Sequence, residues 1–399
     1  LVWDQRVAGS NPAAPTIKIM NFFKPEKRYN ISLQSPSKSL WSTFKKAYLD
    51  QKNFKSFWNK LDKKNIPTDL KNATEIFVNS PSYSLVSKFW RHCSINNFKD
   101  LSEPDNKDTQ KSIINRDYTS YTLFNESNFK EINLSKLKDK NLKFDILKKH
   151  NKLSFYESIS YNLVTALYFL QLKSSIDNYY EQTNKRFYEN FSHELNINGM
   201  DVNQHLLYSL AEIEKIDKLM SNKSENFNIL EFGAGYGRTG NLLFSVKKNV
   251  KYVIVDIPPS FHISTLQFNK YHPNLKINHA FEVKNKNLMQ EIIIKNDITY
   301  IFPHQLGLLD EDFFDLSIMS GVTLEMEPKD VKYYMNYVGK LSKNLYMKTF
   351  KYSGLPFSFY KVYRYNVRDD YFIPKSWKEI FLDIGIETDF FCHYGYKIK

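Results

Sequence analysis

The residues best suited to hold a ligand lie in NILEFGAGYGRTG at 228–240, where an apolar run meets four glycines within eight residues: Gly233, Gly235, Gly237 and Gly240. Glycine has no Cβ and tolerates positive φ, so such a stretch can bend sharply and bring its backbone close to a ligand. Two frames overlap here. Gly235, Gly237 and Gly240 spell G-x-G-x-x-G, the spacing of dinucleotide-binding turns, in which the first glycine follows the strand directly. The apolar run ends at Phe232, so the first glycine is Gly233, and the third of that count would fall at 238, which is Arg238. The literal G-x-G-x-x-G is therefore read as a coincidence of overlap.

The frame that begins at the strand end is Glu231-x-Gly233-x-Gly235-x-Gly237, a carboxylate followed by three Cβ-free positions. It suits S-adenosylmethionine, which combines an amino-acid end, a sulfonium and a nucleoside. Backbone N–H groups at the loop and helix start can meet the carboxylate, and a nearby acid suits the cationic parts. Nineteen residues after Gly237, a second apolar run ends at Asp256, where a carboxylate can accept both ribose hydroxyls. The expected cofactor residues are Glu231, Gly233, Ala234, Gly235, Gly237, Asp256 and Ile257. Each acid alone has a plainer reading: Glu231 as a solvated strand-end charge, Asp256 as the cap of a helix starting near Ser260. Arg238 is expected in a surface salt bridge, and His262 beside the pocket or exposed.

Positioning these residues requires strands and helices in alternation. From residue 199 onward, NILEF (228–232), KYVIVDI (251–257), ITYIF (298–302), FDLSIM (314–319) and NLYMKTF (344–350) alternate with helical patterns. Near-continuous apolar runs of this kind are strands buried on both faces, so the fold class is an α/β doubly wound sheet. A helix is expected over 201–220, with Asp201 as N-cap and Leu206, Leu207, Leu210, Ile213 and Ile216 on one side. The part from 20 to 198 reads as a mainly helical N-terminal domain, and 199–399 as the cofactor-binding domain. Trp41, Phe44 and Tyr48, then Phe54, Phe57, Trp58 and Leu61, recur at helical spacing. A helix pair is expected at 156–173 and 176–195, closed by NING at 196–199. Residues 1–19 lack the initiating Met and differ in composition; they read as a non-native or disordered leader before Met20.

Composition bounds the class. With 399 residues, 42% hydrophobic and 25% charged, the chain is globular and long enough for two domains. The net charge of +13 is carried mainly by Lys, and the abundance of Lys, Asn, Ile, Tyr and Phe together favours compositional drift over a nucleic-acid surface. Cys93 and Cys392 are too few for a disulfide framework, which points to a reducing, cytoplasmic setting. LVTALYFLQL at 163–172 is about half the length a bilayer needs and reads as a buried helix. Asp310, Glu311, Asp312 and Asp315 crowd together but read as a solvated turn, so no metal site is expected.

Taken together, LEFGAGYGRTG, VDIPPS and DLSIMSGVTLEMEPKDVKYYMNYV (315–338) resemble the sugar O-methyltransferases, a group within the class I S-adenosylmethionine-dependent methyltransferases, over about residues 190–350. The resemblance implies a Rossmann-like, mostly parallel, seven-stranded sheet with ligand-facing ends at 233–237, Asp256 and the loop after Met319. It also implies a carbohydrate, nucleotide-sugar or glycan acceptor. Met319 and Ser320 depart from the family pattern, where Asn is frequent nearby. Methyl transfer to a sugar hydroxyl needs alignment and removal of a proton. Glu325, in the loop beyond FDLSIM, is the first candidate base and His304 the second. Their plainer readings are a helix first turn for Glu325 and loop packing for His304. The aromatic run Tyr352 to Tyr365 suits either sheet packing or sugar stacking. The rival readings are a methyltransferase for RNA or protein, a nicotinamide-dependent oxidoreductase, and a scaffold that binds cofactor without catalysis.

Overall fold

A computed structural model describes residues 54–86, 88–102, 144–148, 162, 165–166, 168–188, 194–220, 226–326, 328–350, 371–384 and 391–399. The leader, the stripe Trp41, Phe44 and Tyr48, and the aromatic run at 352–365 lie outside the described residues.

The N-terminal part begins with α1 (Phe54–Lys60), α2 (Thr68–Asn79), α3 (Ser82–Leu85) and α4 (Lys88–Ser102). Helix α2 buries Leu70, Ala73, Thr74, Phe77 and Val78, the three- and four-residue steps of an amphipathic face. Beyond these helices lie β1 (Phe144–Lys148), α5 (Lys173–Tyr179), β2 (Glu194–Ile197) and β3 (Met200–Val202). The three strands form an antiparallel sheet in the order β1-β2-β3. The single helix expected over 176–195 is thus corrected: it stops at Tyr179, a 3-10 turn covers Lys185–Tyr188, and the chain then enters a strand. The reason lies in NING. Asn198 and Gly199 both adopt positive φ, 52° and 84°, the conformation of the tightest β-hairpin turn.

Helix α6 (Gln204–Met220) follows. Its N-cap is Asn203, whose side chain accepts from the Leu206 N–H at 3.0 Å, not Asp201, which belongs to β3. After it come β4 (Phe227–Phe232), α7 (Arg238–Val246), β5 (Val250–Val255), α8 (Ser260–Tyr271), β6 (Ile277–His279), α9 (Lys286–Lys295) and β7 (Ile298–Ile301). The chain continues through β8 (Leu316–Ser320), α10 (Pro328–Leu341), β9 (Asn344–Phe350), β10 (Lys378–Ile384) and β11 (Phe391–Lys397). Among the described residues these strands make one eight-stranded sheet, β10-β11-β9-β8-β4-β5-β7-β6. From β9 to β6 all pairings are parallel, and β11 and β10 add antiparallel at the far edge. Where seven strands are implied, the described residues give eight, because the three-residue β6 pairs with the edge of β7.

Alternate residues of each central strand serve opposite faces. Ile229, Tyr252, Ile254, Tyr300 and Ile318 join one cluster with α6, α7 and α8. Leu230, Phe232, Val253, Ile301 and Met319 join a second with α9 and α10. The first cluster also takes in Phe54, Trp58, Phe77 and Phe98 from the N-terminal helices. Phe77 of α2 meets Phe302 at 5.5 Å between ring centroids, and Phe302 stacks on Phe281 at 4.0 Å. No described helix is long and apolar enough to cross a membrane.

Candidate functional site

The bend after β4 is built by backbone conformations that favour glycine. Gly233, Gly235 and Gly237 have φ of 69°, 61° and 89°. The Gly233 N–H continues the ladder to the Val255 carbonyl at 2.9 Å, and the Gly237 N–H closes a turn on the Ala234 carbonyl at 3.0 Å. Gly237 then caps α7, its carbonyl accepting from Asn241 N–H at 2.9 Å. Gly240, set aside above as coincidental, has a structural task. A Cβ there would lie 2.7 Å from ring carbons of both Tyr252 and Phe268, so glycine lets α7 pack closely on β5 and α8.

Asp256 follows the last residue of β5, with its carboxylate turned onto the bend. It accepts from the Gly235 N–H at 3.3 Å and from its neighbour Ile257 N–H at 2.8 Å. It is 6% exposed, and burial pushes its carboxyl up to about 7 against the opposing N–H groups of Ile257, Gly235 and Ala234. Glu231, the penultimate residue of β4, is buried as well and accepts the hydroxyl of Tyr252. Burial raises its carboxyl to about 8, the Tyr252 hydrogen bond opposing. Glu231, Gly233, Ala234, Gly235, Asp256 and Ile257 line a single cavity. Gly237 is not on its wall.

A cluster of charges forms another wall. Glu212 of α6, 1% exposed, accepts from Arg238 at 2.6 Å, Lys348 at 3.1 Å, Ser320 at 3.1 Å and, on its other oxygen, Thr239 at 3.4 Å. Arg238 also donates to Ser209 at 3.1 Å. Burial works against ionisation of Glu212, but the charges of Arg238 and Lys348 prevail and hold its carboxyl near 2. Burial lowers Lys348 to about 8 against the opposing pull of Glu212. The Lys348 ammonium lies 4.6 Å from the Tyr208 ring centroid, a cation–π contact. Arg238, Lys348, Ser320 and Tyr208 all line the cavity, as does His205, whose Nδ1 meets the Tyr236 hydroxyl at 3.1 Å. Arg238 is therefore not in a surface salt bridge: its partner is the most buried charge of the site.

Sequence reasoning passed over Glu212, Lys348, His205 and Tyr208. The available signals were modest: Lys348 is the one charged residue in NLYMKTF, and His205, Tyr208, Ser209 and Glu212 recur at helical steps along α6.

His304 lies apart from the cavity wall. Its Nδ1 meets Ser82 of α3 at 2.7 Å, and its own N–H donates to the same oxygen at 2.9 Å. Glu325 ends a 3-10 turn, Val322–Glu325, that leaves the site through Gly321; Val322 and Met326 on either side line the cavity. The side chain of Glu325 lies outside the described residues. His262 is neither exposed nor on the cavity wall: it is buried and faces Asp69 of α2 at 3.4 Å. The acids at 310–315 diverge, Asp310 to Lys286, Asp312 to Lys399 and Asp315 to Lys343. Among the described residues no group of three or more His, Cys, Asp or Glu could hold a metal.

Fold and site together define a doubly wound α/β chain with a glycine bend and a buried acid at the carboxyl ends of adjacent strands, where such sheets hold nucleotide-like ligands. In sequence, no family model and no curated protein matches the chain. Among solved structures, the PH0226 protein from Pyrococcus horikoshii OT3 is similar at 14% identity and a TM-score of 0.34, covering 49% of this chain and 92% of that one. The bifunctional kinase-methyltransferase WbdD is similar at 12% identity and a TM-score of 0.33, covering 49% of this chain and 39% of its own. The pyocyanin biosynthetic protein PhzM is similar at 8% identity and a TM-score of 0.31, covering 48% and 56%. Such likenesses are distant and reach half of the chain, so function rests on the chain's own residues.

Proposed function

We propose that this chain is an S-adenosylmethionine-dependent O-methyltransferase that transfers a methyl group to a hydroxyl of a sugar or glycan precursor. The observation that carries the reading is the buried Asp256 carboxylate held on the glycine bend, with Glu231 beside it on the same cavity. A carboxylate has about four acceptor positions. The N–H groups of Gly235 and Ile257 take one on each oxygen and that of Ala234 also faces the carboxylate, leaving an acceptor position for a ribose hydroxyl. Two acids on one wall suit a ligand that carries positive charge. A dinucleotide fits less well where Glu231 and Asp256 are ionised, because its pyrophosphate, bound at the bend, would be opposed by both carboxylates. The close packing of Gly240 favours that second reading, but packing says nothing of what the bend faces.

When bound, the cofactor supplies an electrophilic methyl group on a sulfonium. The chain's own residues then have three tasks. Asp256 and the bend fix the nucleoside. Trp90, Tyr208 and Tyr334 on the cavity wall offer flat apolar faces for a sugar ring. A base must take the hydroxyl proton, and Glu325 is the proposed base because its turn leaves the wall where the acceptor would lie. The sugar acceptor itself is supported by the resemblance in LEFGAGYGRTG, VDIPPS and the 315–338 segment.

The test is methyl-label transfer from S-adenosylmethionine to a panel of sugars, nucleotide sugars, RNA and peptides. Labelled sugar is the expected product. Label on RNA or peptide alone would replace the acceptor assignment, and failure of the protein to bind S-adenosylmethionine would end the reading. Glu325→Gln is expected to lower turnover on that acceptor about 100-fold or more, with cofactor affinity unchanged; unchanged turnover removes Glu325 as base.

A further inference from the structure

The ladder between β4 and β8 ends at Glu231 and Ile318. Beyond it the chain opens on one side into the glycine bend and on the other into Gly321 and the turn Val322–Glu325. Val322 packs on Gly233 across this gap, and a second tie comes from outside the sheet. Glu212 of α6 accepts from Arg238 at 2.6 Å and, on its other oxygen, from Thr239 at 3.4 Å. These are the first two residues of α7, directly after the bend. The same carboxylate accepts from Ser320, the last residue of β8 and the one before Gly321, at 3.1 Å. Arg238, Thr239 and Ser320 all line the cavity. On its other flank the turn is held by β9, where the Lys348 carbonyl accepts the Gly321 N–H at 2.9 Å and Thr349 accepts Thr323 at 3.1 Å. Glu212 thus joins the start of α7 to the start of the turn through one buried side chain. With its carboxyl held near 2, it stays ionised through the neutral range.

We infer that Glu212 is a positioning residue, which acts through Ser320 on one side and Arg238 and Thr239 on the other to set the gap between the glycine bend and the turn Val322–Glu325. This assignment deepens the proposed function and rests on it, since that reading gives the bend to the methyl donor and the turn to removal of the acceptor proton. The rate of a displacement falls steeply when donor and acceptor are misplaced by even 1 Å. A residue that fixes their separation therefore contributes to turnover more than to affinity. Glu212 touches neither ligand in this scheme.

Ser320→Ala is the informative variant, because it removes one link to Glu212 and leaves the buried charges in place. Methyl-label transfer and calorimetry read it together. The expected result is a fall in kcat of about tenfold, with Kd for S-adenosylmethionine and KM for the sugar acceptor each within about twofold of wild type. Ser320→Thr, which keeps the hydroxyl, recovers most of the rate. Adding Ser320→Ala to Glu325→Gln costs little more than Glu325→Gln alone, because both act on the removal of one proton. Glu212→Gln keeps the size of the side chain and lowers kcat about a hundredfold; where it fails to fold, the two Ser320 variants decide. The inference is overturned if Ser320→Ala, folded by its thermal melt, leaves kcat unchanged, changes only Kd or KM, or adds in full to a Glu325→Gln loss. Should wild type bind no S-adenosylmethionine, the methyltransferase reading fails by itself, and hydrogen exchange at residues 321–326 then decides. Faster exchange there in Ser320→Ala supports the link from Glu212 to the turn, and equal exchange overturns it.

Discussion

Asp256 is the residue on which ligand and scaffold meet, because its carboxylate both holds the bend through Gly235 and faces the cavity. Asp256→Asn keeps the shape and removes the charge. It is expected to weaken S-adenosylmethionine binding by about 1.5–3 kcal/mol, roughly ten- to a hundredfold, and to lower the melting temperature of the free protein modestly, because the amide nitrogen cannot accept from one of the two N–H groups. The same residue predicts a pH dependence. Its carboxyl is raised to about 7 and that of Glu231 to about 8, so both hold protons in mildly acidic solution, and a cationic ligand that needs carboxylates must displace them. Affinity should therefore rise with pH, by roughly tenfold between pH 6 and pH 8 from Asp256 alone. Calorimetry across that range should show proton release on binding, and Asp256→Asn should remove the Asp256 part of the slope while leaving the part due to Glu231. These residues were legible because strand ends and glycine spacing are local patterns. Glu212, Lys348 and His205 were not, because their meeting depends on α6 and β9 converging from distant parts of the chain.

Among the elements, α7 shows how far local pattern reaches. The turn that opens it was readable from Gly233, Gly235 and Gly237, whereas the task of Gly240 depends on Tyr252 and Phe268, two neighbours invisible in the sequence. Glycine inside a helix ordinarily costs stability relative to alanine. Gly240→Ala should do the reverse and destabilise by about 1–3 kcal/mol, since its Cβ would meet two buried rings; equal or greater stability in urea would contradict this. The five central strands were legible as apolar runs, since burial on both faces leaves no alternation to misread. The short strands were not. Glu194–Ile197 continues a helix-like polar pattern until Asn198 and Gly199 turn it back, and β6 has three residues, too few for any period to show.

In the whole molecule the N-terminal helices belong to the site as well as to the core. Leu85, Val86 and Trp90 line the cavity, the Leu85 carbonyl accepts the Tyr334 hydroxyl at 3.2 Å, and Ser94 donates to the Pro258 carbonyl at 3.0 Å. Because Phe77 sits in the same cluster as the sheet, Phe77→Ala should cost about 3–5 kcal/mol and shift one shared unfolding transition in calorimetry. Two separated transitions, only one of them displaced, would show that the helices fold independently. Whether the cavity they help enclose is built for a sulfonium nucleoside is best measured by calorimetry of the wild-type chain against S-adenosylmethionine and NAD. The expected result is saturable binding of S-adenosylmethionine with one site per chain, no comparable heat with NAD, and weakening by Asp256→Asn. Binding of NAD in preference, or S-adenosylmethionine binding untouched by that substitution, would contradict it.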